Sequence, residues 1–141
     1  MNEIYVRIAD WQKDNTDIRR IRESVFVVEQ AVPIELEWDA EDEEAVHFLA
    51  FEKDFAVGTA RLLQDGHIGR VAVLKDWRGL KAGDALLRTA IAEAERRGLR
   101  RQMLSAQVYA TRFYERHGFA VISEEYIDAG IPHMDMLRLS A

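Results

Sequence analysis

The chain has 141 residues, with 25 Asp and Glu against 19 Lys and Arg, a net charge of −6, and no cysteine. At 48% hydrophobic and 31% charged residues it has the composition of a globular protein and the length for one domain, read here as residues 1–141. Disulfides, thiolate metal sites and a cysteine nucleophile are excluded, and the acidic balance argues against nucleic acid as a partner.

No apolar run approaches the ~18 residues of a membrane span. The opening MNEIYVRIAD lacks the basic and apolar regions of a secretory signal, so a cytoplasmic chain that touches no membrane is expected.

In chain order, EIYVRIA (3–9) alternates like a strand. A helix over 14–30 follows, with Asp14 and Thr16 at its capping end and Ile18, Ile21, Val25 and Val28 at helical spacing. Residues 31–44 form a long polar connection, and long loops are often functional. Two strands flank the turn Glu52-Lys53-Asp54, and a third spans 67–74. A helix over 83–98 carries the apolar stripe Leu86, Ala90, Ile91 and Ala94 and closes on Gly98. A strand (101–108), a short helix (110–118) and two final strands (119–127 and 132–139) complete the chain, the last pair joined as a hairpin through DAGI. The order β-α-β-β-β-α-β-α-β-β predicts an α/β or α+β mixed sheet with helices on its faces. No His and carboxylate cluster has metal-ligand spacing, so no metal is expected.

Charge is unevenly placed. Glu29, Glu35, Glu37, Asp39, Glu41, Asp42, Glu43 and Glu44 fall in one stretch without Lys or Arg, while much of the positive charge lies between residues 70 and 116. The two regions suit a cationic and an anionic partner, or are ordinary solvated surface. The stretch WRGLKAGDALL (77–87) sets two glycines and two basic residues at the mouth of a helix. Unpaired N–H groups and the helix dipole favour an anion there. It is neither a Walker loop nor a GxGxxG fingerprint.

Three stretches, FVVEQ, IGRVAVLKDWRGLKAGDALL, and AQVYATRFYERHGF followed by GIPHMDM, resemble the GNAT superfamily of N-acetyltransferases, and within it the small bacterial ElaA/YjcF-like branch. The resemblance implies the GNAT fold and acetyl-CoA as acetyl donor. In this superfamily a loop of the form Arg/Gln-x-x-Gly-x-Gly/Ala holds the pyrophosphate of the cofactor, and Arg78, Gly79, Leu80, Lys81, Ala82 and Gly83 fall on its positions. Lys81 stands where glycine is usual. If a positive φ is needed there it carries a steric cost, and its ammonium could instead meet a phosphate.

The resemblance also assigns the backbone of Val71, Ala72 and Val73 to the pantetheine arm. Gln107 occupies an Asn-like cofactor position, and Tyr114 the tyrosine that protonates the departing CoA thiolate. Phe113 and Phe119 read as core, and His117 as a helix-end residue complementing the dipole.

Without cysteine, acetyl transfer would be direct attack by a primary amine. An amine of pKa ~10.4 is neutral in only about one part in a few thousand at pH 7, so a base is required. A backbone N–H near Val73 is the natural stabiliser of the oxyanion. Glu29, Asp39, His47 and His133 are the candidates for the base, Glu29 and His133 foremost, each with the plain alternative of a satisfied polar residue at an element's end. The acidic stretch could draw in a cationic acceptor, small molecule or peptide. A non-catalytic acyl-CoA sensor or interaction module is the alternative function, and a homodimer through residues 131–139 is possible.

Overall fold

The computed structural model describes residues 3–141, with the side chain of Leu36 excepted. Strand β1 (Ile4–Ala9) leads into α1 (Trp11–Arg22). The cap is Asp10, ahead of the expected 14–16 region: its carboxylate accepts from Gln12 N, and Asp14 answers by accepting from Asp10 N at 2.8 Å and pairing with Arg7 at 2.9 Å. Beyond Arg22 the helix widens into a π-helical stretch, Glu23–Glu29. The wider turn breaks the expected stripe: Ile18, Ile21 and Val25 are buried, but Val28 is 75% exposed.

The connection over 31–44 is less irregular than expected. It contains a helical turn, α2 (Ile34–Glu37), and a 3-10 turn, Ala40–Glu43. Strands β2 (Val46–Glu52), β3 (Phe55–Leu62) and β4 (Ile68–Val73) follow, and the first sheet runs β1-β2-β3-β4, antiparallel throughout. Helix α3 (Ala82–Arg96) covers one face and α1 the other. Alternation along β2 serves both: Phe48 and Ala50 pack toward α3, Leu49 and Phe51 toward α1. This is why the strand reads as an unbroken apolar run.

The second sheet is built on β5 (Arg101–Gln107), which pairs with the last strand, β8 (Ile131–Leu139). Between them in sequence, α4 (Thr111–Glu115) precedes β6 (Ala120–Val121) and β7 (Tyr126–Asp128), both paired to the other edge of β8. The single strand expected over 119–127 is thus interrupted, because the Ser123 hydroxyl takes the Asp135 N–H at 2.8 Å in place of a main-chain carbonyl. The hairpin through DAGI is present, with Ala129 and Gly130 both at positive φ. Flanked on both edges, β8 offers little free edge for pairing with a second copy. No helix among the described residues is long and apolar enough to cross a membrane.

Candidate active site

Among the described residues the main chains of the two sheets are bonded to each other where β4 begins. A parallel bridge joins His67 to Met103, and Met103 N donates to Gly66 O at 3.1 Å. Past that point β4 and β5 part, and a cleft of about 370 Å³ opens between them. A bulge marks the parting: the β3–β4 register shifts between Thr59 and Arg61, and Arg70 sits at φ +50°.

On its cleft side β4 is a free edge. The bond from Leu74 N to Val57 O fixes which residues face it. Antiparallel pairing alternates, so the backbone groups of Val73, and of Val71 two residues back, turn outward. The Val73 carbonyl indeed accepts from Arg78 Nε at 3.0 Å. Ala72 turns the other way, paired with Thr59 and buried against α1. Of the three expected backbone contacts, the geometry therefore offers two.

At the far end of β4 the chain turns through Lys75–Trp77 and enters α3. Gly79 has φ +83° and Lys81 φ +66°. Lys81 thus occupies the left-handed conformation that the usual glycine takes without strain, at a cost of roughly 1 kcal/mol. It caps α3 without any side-chain hydrogen bond, so the N–H groups of the first turn remain available to an anion. A hollow of about 280 Å³ lies over them, lined by Val73, Arg78, Lys81, Gly83 and Phe113 among others. A Cβ on Gly83 would stand 3.4 Å from Phe113, so bulk there fills the hollow. Leu80, half-buried, and Ala82, buried, complete the turn. Donors, cationic side chains and open space fit a pyrophosphate. His117 is bound to Asp84 in the first turn of α3 at 2.8 Å, tying α4 to this end.

The cleft itself gathers residues from four segments. Tyr114 lines it from α4, its phenol pushed up to about 12 by burial, so the hydroxyl stays a proton donor. Gln107, at the end of β5, donates to Gln30 Oε1 at 2.7 Å, joining β5 to the end of the first helix. His133 faces the cleft from β8, its Nδ1 2.7 Å from Ile131 O. A carbonyl only accepts, so Nδ1 is the donor, and in the neutral ring Nε2 is the nitrogen with the lone pair. Sequence reasoning missed Ser105, which lines the cleft and shares a hydrogen bond with Tyr126 OH; that hydroxyl donates to Asp135 at 2.6 Å, and its ring stacks on His133. Only the β5–β8 register, Ser105 opposite Asp135 and Gln107 opposite His133, brings these groups together.

The other candidates for the base lie elsewhere. Glu29 makes a two-pronged pair with Arg78, at 2.5 and 2.7 Å, and this contact holds its carboxyl below the usual range. His47 is buried, stacked on Trp11 and donating to Asp42 O at 2.7 Å, and burial lowers its pKa. Asp39 pairs with Arg61 at 2.9 Å. Four of the eight acids of the stretch, Glu29, Glu37, Asp39 and Asp42, are engaged in such pairs. Arg22, with no exposed surface, binds Glu37 at 3.1 Å and Asp42 at 2.8 Å, and Arg61 binds Asp42 at 2.9 Å. None of its acids lines the cleft. Among the described residues no three His, Asp or Glu gather as a metal site requires.

Two sheets splayed around a free β4 edge, with an uncapped helix below it, are the architecture of an acyl-CoA transferase. The model of the acetyltransferase (GNAT) domain matches residues 12–139, and the chain belongs to that family, in its YjcF/ElaA branch. It is similar to the uncharacterized N-acetyltransferase YjcF of Bacillus subtilis, 36% identical over 135 residues, 93% of this chain and 96% of that one. An acyl-CoA N-acyltransferase from Pseudomonas aeruginosa superposes with a TM-score of 0.84 at 31% identity, over 98% of this chain and 99% of the other. Escherichia coli ElaA gives 0.83 at 29% identity, over 98% and 99%. The protein is a transferase of the class that uses an acyl-CoA co-substrate.

Proposed function

We propose that residues 1–141 form one domain that transfers an acetyl group from acetyl-CoA directly to a primary amine. The observation that carries this reading is the continuity of the β4 edge, which runs from the cleft holding Tyr114 to the hollow over the start of α3. The first-turn N–H groups from Ala82 and Gly83, with Gly79, Leu80, Arg78 and Lys81, hold the pyrophosphate. Val71 and Val73 pair with the pantetheine amides, and Gln107 borders the acetyl end. When bound, the thioester supplies an activated acetyl group.

His133 Nε2 takes the proton of the incoming ammonium, and the outward N–H of Val71, on the stretch of β4 that lines the cleft, faces the carbonyl oxygen as it gains charge. Tyr114 donates its O–H to the leaving sulfur. The phenol, at about 12, is a weaker acid than a thiol of pKa ~8.5, so its hydrogen bond stabilises the thiolate before any proton moves. Glu29, with its carboxyl bound to Arg78, holds that arginine beside the β4 edge and takes no proton from the acceptor. A cysteine-free chain suits the reducing cytoplasm, where we place it.

The test is release of free CoA thiol from acetyl-CoA across a panel of primary amines. An acidic limb in the pH dependence of kcat/KM that His133→Gln removes supports the base assignment. An unchanged limb in that variant returns the role to another group.

A further inference from the structure

Building on that reading, we infer that the cleft selects an acceptor amine that also bears a carboxylate, an amino-acid-like zwitterion, with Arg70 reading the acid and Asp128 facing the ammonium. Among the described residues lining the cleft, Arg70 and Asp128 carry the fixed formal charges, one of each sign. They stand on opposite walls, Arg70 on β4 and Asp128 at the β7–β8 turn. The eight acids of residues 29–44 contribute nothing to this lining, so the cleft is not built as an acidic trap for a polycation.

Arg70 is placed at a cost. A residue other than glycine at φ +50° forfeits roughly 1 kcal/mol, and the bulge that imposes it re-aims the side chain off the pleat. The guanidinium then shares its carboxylates with two other arginines. Glu37 accepts from Arg22 Nε at 3.1 Å, and Asp39 from Arg61 at 2.9 and 3.1 Å. Arg70 Nη2 reaches Glu37 O only at 3.4 Å and Asp39 Oδ2 at 3.5 Å, the outer limit of a hydrogen bond. Its Nε lies 3.1 Å from Glu37 Oε1 but off-line, and is buried without a partner; among the described residues Nη1 donates to none. Donors are left over beside the cleft.

The ion-pair cluster at this point holds three guanidiniums, Arg22, Arg61 and Arg70, and three carboxylates, Glu37, Asp39 and Asp42; burial lowers the Arg70 pKa and raises that of Glu37. Position favours the reading. Arg70 adjoins Val71, whose backbone faces the cleft, and a strand advances only ~3.3 Å per residue. An amino acid separates its nitrogen from its carboxylate by roughly 2.5–4 Å, which one molecule spans while its amine meets the acetyl group.

The experiment compares amino acids with their amides and with the amines left by decarboxylation, for example phenylalanine, phenylalaninamide and phenethylamine. Thiol release and the mass of the N-acetyl product are the readouts. Wild type should favour the carboxylate form by ~10²-fold in kcat/KM. Arg70→Gln should bring the forms within a few-fold of each other, through KM, and Arg70→Lys should keep part of the preference. Stabilisation by acetyl-CoA, measured in each variant, separates a lost contact from a lost fold, and the wild-type comparison stands without either variant. Equal or better turnover of the amides or bare amines overturns the proposal. So does a preference that persists in Arg70→Gln, or no turnover of any carboxylate amine by protein that binds acetyl-CoA. Failure of wild type to bind acetyl-CoA would instead overturn the reading on which the proposal rests.

Discussion

The two ends of the β4 edge are built in different ways. At the α3 end most of what the site offers is main chain: free N–H groups, a glycine at φ +83°, a lysine at +66°, and a hollow kept open by Gly83. At the cleft end they are side chains, Gln30, Arg70, Gln107, Tyr114, Asp128 and His133, brought from distant segments. A main-chain seat suits a partner that never changes, because backbone geometry survives most substitutions. A side-chain seat can be retuned residue by residue, which suits the half of a transferase that chooses the acceptor.

The sharpest break between the two ends comes from Tyr114→Phe. It removes one donor at the cleft and should lower kcat by ~10²–10³-fold, while stabilisation by acetyl-CoA persists. Gly83→Trp does the reverse. An indole in a hollow of about 280 Å³ should weaken acetyl-CoA by at least ~10-fold in Kd, measured by calorimetry, with the fold intact because the hollow is open to solvent. Lys81→Gly is gentler. Relief of the left-handed strain, partly offset by the freer unfolded chain, should add at most ~0.5 kcal/mol and raise Tm by about one or two degrees.

Smallest is the pH response that His47, buried on β2, gives the fold. The His47 pKa is lowered from 6.5 by burial, so the folded state holds it neutral while the unfolded chain takes up a proton. Stability from His47 is therefore present above pH 6.5 and falls as the pH drops toward its folded value. Denaturant midpoints across that window should decline in wild type and decline less in His47→Gln.

What was legible in the sequence follows the same division. The α3 stripe and Gly98, the β2–β3 pair and the loop before α3 are local patterns, and each stands where the pattern puts it. The cap of α1 lies ahead of the expected one because Asp14 and Thr16 are capping residue types just before the apolar spacing begins, whereas Asp10 hides at the end of a strand. Arg22 carries no sequence signal of burial, yet it is fully buried, holding the 31–44 connection through Glu37 and Asp42. Arg70, Ser105, Tyr126 and Asp128 carry no local signal at all. Their meaning depends on a bulge and on strand register, which exist only once the sheets have formed.

The central claim is that the β4 edge and the start of α3 together hold acetyl-CoA, and thermal unfolding with and without the ligand tests it most directly. At about a hundred times its dissociation constant, acetyl-CoA should stabilise the fold by ~2.7 kcal/mol, a rise of several degrees in Tm. No rise at millimolar acetyl-CoA would contradict the account.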